Sequence, residues 1–177
     1  ALAQDKVKIG LVSTLSGPSA VLGKHMVDGF QLAVKELGGK LGGLDAEVLV
    51  TDDELKPDVA VTKVKALLER DQVNLVAGVI FSNVMMAVHK PVVEAGVPFV
   101  GANAGPSPLA GKGCDQHFFS VSYQNDQNHE VLGKYAQSKG FKRVFLMAPN
   151  YQAGKDSLAG FKRHYTGEVV DEVYTQL

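Results

Sequence analysis

The sequence predicts an α/β protein built on a parallel, doubly wound sheet. Two observations carry this prediction: short runs rich in Val and Ile alternate with segments of helical spacing along the 177 residues, and Gly or Pro marks most of the junctions. A third is composition. At 45% hydrophobic and 21% charged residues, the chain has the makings of a packed core rather than of a disordered segment.

The first strand is expected over residues 8–14, an apolar run that ends at Ser16-Gly17-Pro18 as a buried strand meets a turn. From Ser19 the apolar residues Met26, Phe30, Ala33, Val34 and Leu37 recur at helical spacing, and Gly38-Gly39 stops the helix. A strand over 47–51 follows, then a helix over 57–69 with Ala60, Val64, Leu67 and Leu68 turned inward, then a strand over 75–79. The next helix spans 82–95, and Pro91 is expected to kink or shorten it. Residues 96–100 supply another strand, and 101–113 form a loop dense in Gly, Ala, Pro and Ser. Beyond it lie a strand at 118–122, a helix at 127–139, a strand at 144–148, a helix at 157–165 and a last strand at 169–174. Alternation of this kind implies parallel pairing through right-handed crossovers. Ligands of such sheets sit beyond the carboxyl ends of the strands, near the switch in strand order, which selects residues 15–23, 80–83 and 102–107.

Charge and cysteine content narrow the function. Eighteen Lys and Arg against nineteen Asp and Glu leave a net charge of -1, so no global field draws the chain to phosphate backbones or anionic membrane. No apolar run approaches the roughly 20 residues needed to cross a bilayer, and a soluble chain is expected. A single cysteine, Cys114, excludes a disulfide framework and multi-cysteine zinc sites. The start, Ala1-Leu2-Ala3-Gln4, reads as the small-x-small end of a secretory signal peptide, with a cloning remnant or chance as the plain alternatives. The chain stops after a strand with no helix to cover it, and a lobe beginning near Asn125 holds two strands and two helices, too few to close its own core. More of that lobe is expected downstream, and the fragment is expected to self-associate through an open strand edge and an apolar face that includes Phe145, Met147, Val170 and Val173.

Several chemical motifs fail in detail. Residues 17–24 run from Gly17 to Gly23-Lys24 after a strand as a phosphate loop does, yet the glycine spacing is one residue too long and His25 stands where a Ser or Thr should bind Mg²⁺. Gly38 to Gly43 follows a helix and precedes a strand, the reverse of a dinucleotide turn. Cys114 with His117 lacks the strand-to-helix elbow of a nucleophile, and Ser82 with His89 lacks the flanking Gly-x-Ser-x-Gly pattern. The five histidines, His25, His89, His117, His129 and His164, are scattered, and no cofactor or metal is implied. Asp52-Asp53-Glu54 could take a cation but reads better as a solvated turn before Pro57.

The remaining groups suit a small anion. Ser82 and Asn83 open a helix, where N–H groups, a hydroxyl and the positive end of the helix dipole favour a carboxylate. Asn103, Ala104 and Gly105 lie in a loop able to offer backbone donors, and Leu22 and Phe81 can supply an apolar wall.

At these residues the ordered set Leu15-Ser16-Gly17-Pro18, Gly23, Asp28-Gly29, Leu32-Ala33, Gly38-Gly39 and Asp52-Asp53 resembles the start of the branched-chain amino-acid (leucine-type) periplasmic binding proteins of ABC importers, type I fold. The likeness continues through residues 78–82, Gly96-Val97-Pro98 and the turn Asn150-Tyr151-Gln152-Ala153-Gly154. It implies two lobes joined by three crossovers, with a ligand closed between them and a family length about twice that seen here. Residues 1–123 would form the N-terminal Rossmann-like lobe and 124–177 the incomplete beginning of the second, with the first crossover near 123–126. By position, Ser82 resembles the hydroxyl that receives the ligand α-carboxylate, helped by Ala104 and Gly105. Family amino-acid binders often carry a threonine near Gly105 and an aromatic near Leu22. Both are absent, which turns the expectation toward an apolar or aromatic carboxylate, with a branched-chain amino acid still open as the ligand and Tyr151 capping it from the second lobe. The family cysteine pair near Asp53 and Phe81 is missing as well.

The resemblance implies a periplasmic receptor that hands a small carboxylate to the membrane permease of an ABC importer, with no enzymatic role and no nucleic-acid partner. A sensory or regulatory domain of the same fold and an α/β enzyme acting on a small carboxylate are the competing classes.

Overall fold

The computed structural model describes residues 6–177. The Ala1-Leu2-Ala3-Gln4 segment, read above as the end of a signal peptide, lies outside them. Two compact units emerge. The first comprises the described residues up to Asn103 together with Asp115–Val121, and the second comprises Ala104–Cys114 and Ser122–Leu177.

In the first unit, strands β1 (Lys6–Ser13), β2 (Lys40–Leu41), β3 (Leu44–Asp52), β4 (Leu75–Gly78), β5 (Phe99–Gly101) and β6 (Phe118–Ser120) form one sheet in the order β2-β3-β1-β4-β5-β6. All neighbours are parallel except β2 and β3. Three helices, α1 (Ala20–Glu36), α2 (Pro57–Glu69) and α3 (Ser82–Glu94), make the crossovers. Strand β1 lies at the centre and is buried from Ile9 to Ser13, as a strand covered on both faces must be. Its alternate residues divide the packing: Ile9 and Leu11 join Val27 of α1, whereas a Cβ at Gly10 would meet Leu67 of α2 at 2.8 Å. Helices therefore cover both faces, as predicted.

Three details depart from the sequence reading, and a fourth agrees with it. The inner face of α1 is Gly23, Met26, Val27, Phe30 and Val34; Ala33 and Leu37 are exposed. The difference is a phase shift of one residue, because Gly23 and Val27 meet the sheet and carry the stripe with them. Strand β2 was not foreseen. It pairs antiparallel with β3 across Gly42-Gly43, whose φ values of 58° and 84° give the two-residue hairpin turn that favours glycine. Pro91 lies inside α3, which runs on to Glu94; proline costs a helix one backbone bond, and the buried face made by Val84, Met85, Val88 and Val92 outweighs it. Helix α2 has its predicted bounds, with Pro57 opening it at the position where its missing N–H costs nothing.

In the second unit, strands β7 (Arg143–Pro149) and β8 (Glu168–Thr175) pair in parallel, with helices α4 (Gln127–Ser138) and α5 (Gln152–His164) packed together. The core is Ala136, Leu146, Ala148, Leu158, Phe161 and Tyr165. Helix α5 starts at Gln152, five residues before the expected start at 157. Gly154 sits against the Pro149 carbonyl, where a Cβ would lie at 1.9 Å, so the small residues that read as a turn are instead the close-packed first turn of a helix. The other face of β7 leaves Phe145 and Met147 exposed. No helix among the described residues is long and apolar enough to cross a membrane.

Candidate functional site

The first unit's connections leave β1 and β4 in opposite directions, toward β3 on one side and β5 on the other. These neighbours, in register at Val12 and Gly78, define the switch point of the sheet, where a crevice opens beyond the strand ends. Segment 79–81 then turns the chain from β4 into α3. Val79 holds φ at 70°, a left-handed conformation that costs a β-branched residue on the order of 1–3 kcal/mol. Its N–H bonds the Val12 carbonyl at 2.8 Å, and Asn103 Nδ2 donates to the Ile80 carbonyl at 2.8 Å. Both bonds hold the turn that aims α3.

Ser82 opens α3 and is 2% exposed. The first backbone bond of the helix runs from Met85 N–H to the Phe81 carbonyl at 3.0 Å, so the N–H groups of Asn83 and Val84 point beyond the helix end, where an anion is favoured. Asn83 Oδ1 is buried and has no partner. Phe81 is almost wholly buried beside Ser82, and Leu22, on the first turn of α1, is half exposed. The first unit thus carries Leu22, Phe81, Ser82, Asn83 and Asn103 of the predicted site residues.

Ala104, Gly105 and Tyr151 belong to the second unit. Ala104 and Gly105 are buried. Gly105 accepts Asn125 N–H at 2.8 Å, and a Cβ on it would meet the Tyr123 carbonyl at 2.2 Å. Tyr151 precedes α5 at the carboxyl end of β7, and burial pushes its phenol up from the ordinary tyrosine range. A cavity of about 170 Å³ lies beside it, lined by His129, Met147, Pro149, Ala153 and Ser157 among others.

The motifs set aside on sequence grounds have structural roles. Lys24 pairs with Asp28 on the exposed side of α1 at 2.6 Å. His117 Nδ1 lies 3.0 Å from Asp115, and Cys114 is exposed. Of the Asp52-Asp53-Glu54 run only Glu54 is exposed, so the expected solvated turn is not what forms. Asp53 is fully buried and accepts from the Thr14 hydroxyl at 2.6 Å and from Leu55 N–H at 2.8 Å. Burial pushes its carboxyl up, against the lowering effect of those two donors. Asp52 accepts from the N–H groups of Leu15 and Glu54; burial works to raise its carboxyl, and the backbone donors outweigh it and hold it low. Together the two aspartates tie the end of β3 to the loop after β1. Among the described residues no three His, Cys, Asp or Glu stand together as metal ligands.

Sequence reasoning missed Asp156. It is buried in the second unit, where Oδ2 accepts from Ser107 N–H at 3.0 Å and Asn125 Nδ2 at 2.9 Å, and Oδ1 from Gln152 Nε2 at 2.8 Å. Only the i, i+4 spacing from Gln152 hinted at it; the contacts to Ser107 and Asn125 span 49 and 31 residues.

A helix N-terminus at the switch point of a parallel sheet is where α/β domains of this class bind ligands. Residues 6–177 match the periplasmic binding protein family throughout, and the chain belongs to it. A Leu/Ile/Val-binding protein homologue of Brucella abortus is 30% identical over 173 residues, which is 96% of this chain and 44% of that protein. A solute-binding protein of an ABC transporter from R. palustris, solved with benzoate, superposes at a TM-score of 0.91 with 31% identity over 97% of this chain and 49% of that one. The branched-chain amino-acid substrate-binding protein of Streptococcus pneumoniae, solved with isoleucine, superposes at 0.84 with 27% identity over 97% and 50%. The fold is that of the type I periplasmic binding proteins, and the chain spans about half the length of these relatives.

Proposed function

We propose that this chain is the N-terminal half of an extracytoplasmic solute-binding receptor that delivers a small carboxylate to an ABC importer. The observation that carries the reading is Ser82, buried at the head of α3 on the switch point of the sheet. A hydroxyl, the N–H groups of the first helical turn and the helix dipole at one helix end suit a carboxylate. Ala104 and Gly105 are proposed as further backbone contributors, and Tyr151 as the second lobe's contact to the ligand. On this reading residues 1–123 make the first lobe, apart from Ala104–Cys114, which pack with the second unit, and 124–177 begin the second lobe. The solute-binding relatives support a receptor without enzymatic turnover, acting in the periplasm with a membrane permease as partner.

The ligand class we propose is an aromatic carboxylate of the benzoate kind. The apolar Leu22 and Phe81, the absence of a hydroxyl at Gly105 to hold an ammonium group, and the benzoate complex of the R. palustris relative support it. The isoleucine complex of the Streptococcus pneumoniae relative favours a branched-chain amino acid as the second reading. Calorimetric titration of the full-length protein with benzoate, 4-hydroxybenzoate, leucine and isoleucine separates them. Tighter binding of the benzoates is expected. Submicromolar leucine binding with no heat from either benzoate would contradict the aromatic assignment.

A further inference from the structure

We infer that Asp156 is the residue that positions the Ala104–Ser107 backbone; as a binding role, this rests on the proposal above that Ala104 and Gly105 contribute to ligand recognition. In sequence this segment follows β5 of the first unit. By its packing it belongs to the second.

The attachment has few members. Gly105-Pro106-Ser107-Pro108 contains two prolines, so Ser107 carries the one backbone N–H across residues 106–108, and that N–H donates to Asp156 Oδ2 at 3.0 Å. The Ser107 hydroxyl is buried without a partner, and the backbone alone anchors the residue. The same carboxylate oxygen accepts Asn125 Nδ2 at 2.9 Å, and Asn125 N–H donates to the Gly105 carbonyl at 2.8 Å. Asp156 therefore holds the segment at both ends, directly at Ser107 and through Asn125 at Gly105. Its three side-chain and backbone donors are neutral, and bonds from neutral N–H groups to a buried carboxylate are among the stronger kind. Because α5 carries Asp156 and begins just after Tyr151, one helix sets both second-unit contributors named above.

Amide hydrogen exchange on this chain and benzoate titration of the full-length protein test the assignment, with Asp156→Ala and Asp156→Asn as the pair of variants. Asparagine keeps an acceptor for Ser107 and Asn125 and can meet a reoriented Gln152, so it should stay within about threefold of the parent in both measurements. Alanine should speed exchange at Ser107 and Asn125 about tenfold or more while β7 amides stay unchanged, and weaken benzoate binding about tenfold. Unchanged Ser107 exchange in the alanine variant would overturn the proposal, as would acceleration spread evenly over α4 and α5, which marks general loosening. A loosened segment with unaltered benzoate affinity would also overturn it. If the parent protein binds no benzoate, the ligand assignment falls instead, and the exchange data alone decide whether Asp156 holds the segment.

Discussion

At Gly105 a missing side chain has a structural cause. A Cβ there would lie 2.2 Å from the Tyr123 carbonyl, nearer than atoms can pack, so the segments 104–105 and 123–125 approach as closely as they do only because residue 105 is glycine. Gly105→Thr, which would supply the hydroxyl that the resemblance to amino-acid binders leads one to expect here, is expected to destabilise the second unit by about 2 kcal/mol or more rather than to create a leucine site. Thermal unfolding with leucine titration measures both. An unchanged melting temperature with new leucine affinity would contradict the packing argument. The sequence showed that the hydroxyl was absent but not why, since the carbonyl that excludes it is 18 positions away. Asp53 is a similar case: it stands in an acidic run that reads as solvated, yet it is buried, with Thr14 and Leu55 donating to it.

At the scale of single elements, α3 joins the proposed anion site at its start to a buried histidine at its middle. His89 is 7% exposed, its Nε2 has no partner, and its ring meets the edge of Phe118 at 5.0 Å. Burial holds the imidazole below the ordinary histidine value of 6.5, although Asp115 acts to raise it. The folded chain therefore binds that proton less readily than the unfolded one. Stability contributed by neutral His89 is present above pH 6.5 and is lost as pH falls below it, through the window between 6.5 and the lowered native value. Denaturant unfolding at pH 5.5 and 7.5 should show a loss on acidification that His89→Leu diminishes; an identical loss in both proteins would contradict the assignment. Elements whose signals are local were legible: Pro57 opens α2 where expected, and the alternation of strands with helices gave the parallel sheet. Elements decided by contact were not. The early start of α5 depends on Gly154 meeting Pro149, and β2 exists only because Gly42-Gly43 lets it pair with β3.

For the molecule as a whole, the topology does most to position the proposed site. The order β2-β3-β1-β4-β5-β6 puts the ends of β1 and β4 side by side, and the strained turn at Val79 delivers Ser82 there. Sequence reading placed Ser82 at the head of a helix because a strand, a short link and a helix are visible in order along the chain. It did not reach Asp156 or the Thr14–Asp53 bond, which exist only once distant segments pack. The central claim is that Ser82 receives a ligand carboxylate, and the most direct measurement is calorimetric titration of the full-length protein and its Ser82→Ala variant with benzoate and with uncharged benzamide. The account predicts that benzoate binds the parent and benzamide does not, and that removing the hydroxyl weakens benzoate by about 1 to 2 kcal/mol, close to tenfold. Equal benzoate affinity in the two proteins, or benzamide binding as tightly as benzoate, would contradict it.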